Sequence, residues 1–180
     1  MKMENAHENL FPPSHEDGGF INEQRALCES EGSFGKKGSI AKNGCGSIAA
    51  YNALKILGVS VNYKDVLARF NFHVLNRGRW GANPLYFFVY FKKLGFRIKV
   101  FLRRKFDRLK YESAAYIALY TYKSKSGFGA HYVAAQYNEK NGYTVYNEDY
   151  YGKTVHIESL KELISRNKAK HIAVMMITKK

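Results

Sequence analysis

Apolar positions along this chain recur first at helical spacing and then, beyond Gly95, at every second residue. Within Ser47–Leu57, the positions Ile48, Tyr51 and Leu54, with Ala50, Ala53 and Leu57, fit a 3.6-residue period. Gly58 stands where a helix C-cap is expected. Gly46, Ala49, Ala50 and Ala53 are small enough for neighbours to approach closely. The pattern predicts a buried central helix. A second helix is predicted from Asn62 to about Phe70, and a third from Asn83, with Pro84 at its first position, to Lys93. Residues 76–83 between them read as a loop.

Past Gly95, Phe96, Ile98, Val100 and Leu102 alternate with Arg97, Lys99 and Arg103, the signature of a half-buried strand. Further strands are predicted at Ala114–Tyr122, His131–Tyr137, Tyr143–Asn147 and Lys153–Ile157. A short helix, Ser159–Asn167, and a last strand, His171–Thr178, complete the set. Helices first and sheet afterwards make an α+β chain, with no internal repeat and one domain over residues 31–180.

Residues 1–30 do not share this patterning. They are polar, carry Pro12-Pro13 and Gly18-Gly19, and read as a flexible acidic N-terminal arm, either a disordered terminus or a pro-segment folding over a cleft. Charge divides the chain at the same place. Up to Gly32 there are seven acidic residues against Lys2 and Arg25, whereas the remainder holds 27 basic and 8 acidic residues. A body this basic attracts nucleic acid, anionic lipid or an acidic peptide, although bulk charge alone specifies partners poorly and a solvated basic surface is the plainer reading. With 180 residues the chain can bury a core of its own. Its two cysteines, Cys28 and Cys45, form neither a disulfide framework nor a C-x-x-C metal or redox motif. No run of eighteen apolar residues occurs, and the polar start lacks the apolar core of a signal peptide. The expectations are therefore no membrane span, a cytoplasmic location and a monomer.

Cys45 lies in Lys42-Asn-Gly-Cys-Gly-Ser47, at the mouth of the predicted central helix. The partial positive charge of a helix N-terminus favours thiolate over thiol there. Flanking glycines leave room for a substrate backbone and free local amides to face an oxyanion. Asn43 is placed as N-cap or as an amide donor near that oxyanion. A buried structural cysteine is the competing explanation. His131 stands where the run Ala130-His-Tyr-Val-Ala-Ala135 leaves a glycine-bearing loop, and Asn147 closes the next strand. Asn138-Glu-Lys-Asn-Gly142 between them is a strong hairpin signal. With the turn centred near Lys140, His131 faces the region of Asp149 and Asn147 lies diagonally adjacent, within reach of the imidazole. Glu148 and Asp149 are rival orienters, since a small error in register exchanges them. Together the three residues form an activated-nucleophile layout: thiol, base and orienter.

The segments Asn43-Gly-Cys-Gly-Ser-Ile-Ala-Ala-Tyr-Asn52, Gly129-Ala-His-Tyr-Val-Ala134 and Val145-Tyr-Asn147 resemble the papain-like cysteine peptidases. The bacterial branch that contains the double-glycine leader peptidases of bacteriocin exporters is the nearest in pattern. The resemblance runs from about Gly38 to the C-terminus and includes the helix start Gly81-Ala-Asn-Pro84. It implies an α+β papain-like fold, with Cys45 as nucleophile, His131 as base and Asn147 as orienter. One departure stands out. Such peptidases usually carry a glutamine a few residues before the cysteine as oxyanion donor, whereas the matching position here is near Ser39. Either Ser39 or Asn43 substitutes, with the Cys45 amide, or the oxyanion hole is weakened; losing one such donor costs on the order of 3 kcal/mol in the transition state.

The resulting expectation is a cysteine peptidase or amidase that cleaves a peptide or protein substrate without a metal or organic cofactor. The alternative is a catalytically weak or silent papain-like module whose basic surface binds an acidic peptide or protein. Nucleic-acid binding through the basic stretch Arg97–Lys110 is the minor reading, because no reader motif accompanies it. Tyr116, Tyr120, Tyr122, Tyr132 and Tyr137 fall at strand spacing and read as sheet faces. Cys28 reads as a bystander, and His73, His156 and His171 show no metal spacing. Trp80 is open between groove cover and core anchor.

Overall fold

The central helix forms where small and apolar residues cluster, and it forms in two pieces. A single turn, α1 (Ile40–Asn43), breaks at Gly44 (φ −80°, ψ −2°), and α2 (Cys45–Ile56) starts at once. The computed structural model describes residues 19–28, 33–102, 106, 109–124, 127–148 and 152–180. Every residue from Cys45 to Leu54 is buried, so α2 must satisfy its polar side chains internally. Ser47 Oγ donates to the Gly44 carbonyl at 2.8 Å and meets Tyr63 OH at 2.9 Å. Asn52 holds the main-chain N–H and C=O of Ile21 at 2.9 and 2.8 Å. Gly46 is required by packing: a Cβ there would collide with the Ala82 side chain, and Phe87 and Tyr132 close off the same space at 3.5 and 3.6 Å.

Helices α3 (Tyr63–Asn71) and α4 (Pro84–Lys93) begin where the sequence predicts. The Asn62 and Asn83 side chains cap them, accepting from the Lys64 and Leu85 N–H groups at 2.8 and 3.0 Å. Ahead of the helices, β1 (Ser33–Phe34) and β2 (Gly38–Ser39) make a two-residue ladder. The second half is one antiparallel sheet of β3 (Arg97–Leu102), β4 (Ala115–Ser124), β5 (Gly127–Asn138), β6 (Gly142–Tyr146), β7 (Val155–Ile157) and β8 (His171–Thr178). Its strand order is β3-β8-β4-β5-β6-β7. Along β4, Ala115 and Ile117 pack into the helix-side core, while Tyr116, Ala118 and Tyr120 belong to a second core on the other face. The sheet is therefore covered on both sides, which the predicted α+β order requires.

Two boundaries differ from expectation for physical reasons. Strand β5 begins at Gly127, four residues earlier than predicted, because Gly129 pairs with Tyr122 and the tyrosine ring fills the space that a side chain would take. Helix α5 (Glu162–Arg166) is shorter than Ser159–Asn167, because Glu162 Oε1 accepts from the Glu158 and Ser159 N–H groups at 2.9 Å and holds those residues outside the helix.

The described part of the segment read as an arm, residues 19–28, lies on the body. Ile21 and Leu27 are buried in the helix-side core, and Phe20 stacks on Tyr146 with ring centroids 4.0 Å apart. A 3₁₀ turn covers Gln24–Cys28. Three apolar side chains among polar neighbours hold this stretch down, a signal that its average polarity conceals. Residues 1–18, 29 and 30 lie outside the described residues. Among the described residues no helix is long and apolar enough to cross a membrane.

Candidate active site

The β5–β6 ladder ends at the pair Ala134–Tyr146, so among the described residues β5 between Gly127 and Val133 pairs with β4 alone. Asn147 then adopts φ +62°, a left-handed conformation that asparagine tolerates better than most residues, and takes the chain off the strand. The mouth of α2 meets β5 where β6 has left it. There the Cys45 thiol lies within electrostatic reach of His131, and the main chain of Tyr132 and Gly46 adjoins it.

His131 lies across from Tyr120 on β4, the two rings edge-on at 5.7 Å. Its Nε2–H donates to the main-chain carbonyl of Asn147 at 2.7 Å. A carbonyl can only accept, so this bond fixes the proton on Nε2 and leaves Nδ1 to take the proton of the thiol. Burial opposes the Cys45 thiolate. The nearby His131, with the main chain of Tyr132 and Gly46, outweighs it and holds the thiol below its usual range. Burial likewise opposes the imidazolium. Contact with Cys45, the Asn147 carbonyl and the nearby Glu148 carboxylate together carry His131 above its usual range. Each group favours the charged form of the other.

The Asn147 side-chain amide, expected at the imidazole, is turned away from it. Its Oδ1 accepts from the Gln24 N–H at 3.1 Å, its Nδ2 donates to Gln24 Oε1 at 3.4 Å, and its own N–H donates to Asn22 Oδ1 at 3.3 Å. The left-handed backbone presents the carbonyl to the ring and the amide to residues 22–24. Glu148 is also close, its carboxylate accepting from Tyr120 OH at 2.7 Å and Asn167 Nδ2 at 2.6 Å. Asp149, the alternative orienter, lies outside the described residues.

Of the two oxyanion candidates, Asn43 is two residues from Cys45. Its Oδ1 accepts from the Ser39 N–H at 3.2 Å and its Nδ2 donates to the Arg79 carbonyl at 2.7 Å, which among the described residues uses one of its two amide hydrogens. Ser39 sits at the N-terminus of α1, a turn farther from the thiol. The break at Gly44 matters more: it starts a new helix at Cys45, so the Cys45 N–H belongs to the first turn, whose donors have no partner within their own helix.

Sequence reasoning missed Asn22 and Gln24. Gln24 Nε2 donates to the carbonyls of Ile40 and Ala41 at 2.9 and 2.8 Å, so both amide hydrogens are used and none is left for an oxyanion. Phe20, Ile21 and Leu27 were the available signal that this stretch docks. A cavity of about 650 Å³ borders the imidazole, lined by Gln24, Lys42, Tyr120, His131, Asn147 and Glu148 among others. Trp80 is 72 % exposed and is no core anchor. Tyr116, Tyr120 and Tyr132 are buried and Tyr122 and Tyr137 pack against the second core, as sheet-face residues do. His73 stacks on Tyr86 at 3.7 Å. Among the described residues no three His, Cys, Asp or Glu side chains converge as metal ligands.

A buried helix carrying a cysteine at its mouth, laid on a large antiparallel sheet, is the fold of a papain-like peptidase domain. A solved structure with this architecture is the crystal structure of the peptidase domain of Streptococcus ComA, a bi-functional ABC transporter involved in a quorum-sensing pathway. The two superpose with a TM-score of 0.50 over 75 % of this chain and 91 % of that one, at 16 % identity. At that identity the likeness speaks for the fold. No family model matches the chain, and no curated protein does.

Proposed function

We propose that this protein is a cysteine peptidase or amidase in which Cys45 attacks a peptide-like carbonyl and His131 moves the proton. The observation that carries the reading is His131 beside the buried Cys45 thiol, with its Nε2 held on the Asn147 carbonyl at 2.7 Å. The thiol proton passes to His131 Nδ1, and the thiolate then bonds to the acyl carbon. Collapse of the tetrahedral adduct breaks the C–N bond, and the imidazolium returns its proton to the leaving amine. Water, deprotonated by the same imidazole, then cleaves the thioester and restores the thiol. The Cys45 N–H and the remaining Asn43 amide hydrogen stabilise the oxyanion. Asn147 orients the ring through its main chain.

The experiment is mass analysis after treatment with peptides bearing a thiol-reactive carbonyl group, together with the Cys45→Ala and His131→Ala variants. The reading expects one adduct, on Cys45, that forms far more slowly in His131→Ala. Adducts shared evenly with Cys28, or formed equally fast without His131, would sink it.

The silent-module reading has its own support. Arg25, Lys42, Arg166 and Lys168 lie on the cavity beside His131 against Glu23 and Glu148, an excess of positive charge at the mouth. Salt-sensitive binding of acidic peptides, with neither an adduct on Cys45 nor cleavage, is what that reading expects.

A further inference from the structure

The segment 19–28 touches both halves of the site, through one side chain in particular. Gln24 Nε2 holds the Ile40 and Ala41 carbonyls of α1, the turn that leads into Cys45. Its Oε1 accepts from Asn147 Nδ2, and its main-chain N–H donates to Asn147 Oδ1. Asn22 Oδ1 takes the Asn147 N–H. The Asn147 amide and N–H are thus both turned to this segment, while its carbonyl holds His131 Nε2. Asn147 is 4 % exposed, and its left-handed backbone carries a conformational cost that must be met by fixed partners.

We propose that Gln24 is a positioning residue: it ties α1, the turn that leads into Cys45, to Asn147 and so aims the Asn147 carbonyl at the imidazole. This rests on Cys45 and His131 being the reactive pair. Gln24 does not touch the reacting atoms. An amide serves better here than a charged side chain, because the bracket needs two donors toward carbonyls and one acceptor toward an amide, and glutamine supplies both at one reach. The consequence is that the N-terminal segment, although distant in sequence, sets the basicity of the histidine. The ring also meets Cys45, Glu148 and Tyr120, with Glu23, Arg25, Lys42, Arg166 and Lys168 on the adjoining cavity. None of these is altered by the substitutions below.

The test is an NMR titration of the His131 ring in the full chain, in wild type, Gln24→Met and Asn147→Gly. Methionine keeps the apolar bulk and the main-chain bond of residue 24 but removes all three side-chain amide bonds. Glycine keeps the left-handed backbone and the carbonyl of residue 147 but removes the handles that Gln24 holds. The proposal expects the His131 midpoint to fall by about one pH unit in each, roughly a tenfold loss of proton affinity. The two effects should combine to less than their sum, because both substitutions cut the same bracket. A midpoint unchanged in folded Gln24→Met and Asn147→Gly overturns the proposal while leaving the reactive pair intact. Loss of folding in both also overturns it, since the bracket would then hold the fold and not the ring. A wild-type midpoint at or below the ordinary histidine value counts instead against the pairing with Cys45 on which the proposal rests.

Discussion

Cys45 and His131 are each poorly placed for charge by burial alone, and each favours the charged form of the other. That mutual dependence gives the pH profile its sign. Below the lowered inflection of Cys45 the sulfur holds its proton and cannot attack. Above the raised inflection of His131 the ring has lost the proton that it owes to the leaving amine. Cleavage measured as kcat/KM against pH should therefore be bell-shaped, its acid limb below the ordinary thiol range and its basic limb above the ordinary imidazole range. A single rise near the usual thiol value would contradict it. At this scale the sequence named candidate residues and was silent about their geometry. Cys45, His131 and Asn147 could be placed together from a helix mouth and a hairpin turn. That Asn147 presents its carbonyl could not, because the φ of +62° that turns it depends on where β6 leaves β5.

Elements position the pair with little slack. Helix α2 reaches the sheet because Gly46 lets it pass against Ala82, with Tyr132 stacked on Phe87 behind, their ring centroids 5.0 Å apart. Gly46→Ala should destabilise the protein by about 1–3 kcal/mol in urea denaturation, the range for overpacking a well-packed core. Because Gly46 directly follows Cys45 at the mouth of α2, displacing the helix there should also raise the thiol inflection. A folded Gly46→Ala protein with wild-type stability and titration would show that the close approach is unimportant. The helices were legible from caps and periodicity, down to Asn62, Asn83 and Pro84. Strand β5 was only partly so, since Gly127 and Gly129 resemble a loop until Tyr122 is seen to cover the second of them.

Across the molecule, the N-terminal segment 19–28, which carries Glu23 and Arg25, and the basic body come together at the site. The segment 19–28 reaches Asn147, and four basic residues border the cavity beside His131. Composition could report the asymmetry but not the contact, because a few apolar anchors decide docking and a residue count averages them away. Peptides with acidic residues should thus bind more tightly than neutral ones of equal length. Their KM should rise several-fold as salt shortens the screening length from about 10 Å at 0.1 M to about 3 Å at 1 M, while that of neutral peptides changes little. Equal salt response for both would remove the cavity's charge from any part in substrate choice.

The pH dependence of Cys45 alkylation by iodoacetamide, measured in a Cys28→Ser background with and without His131→Ala, tests the central claim most directly. The account predicts an inflection well below the free-cysteine value of about 8.5 in the parent protein, moving up toward it when His131 is removed. An inflection at the free-cysteine value that His131→Ala leaves unchanged would contradict it.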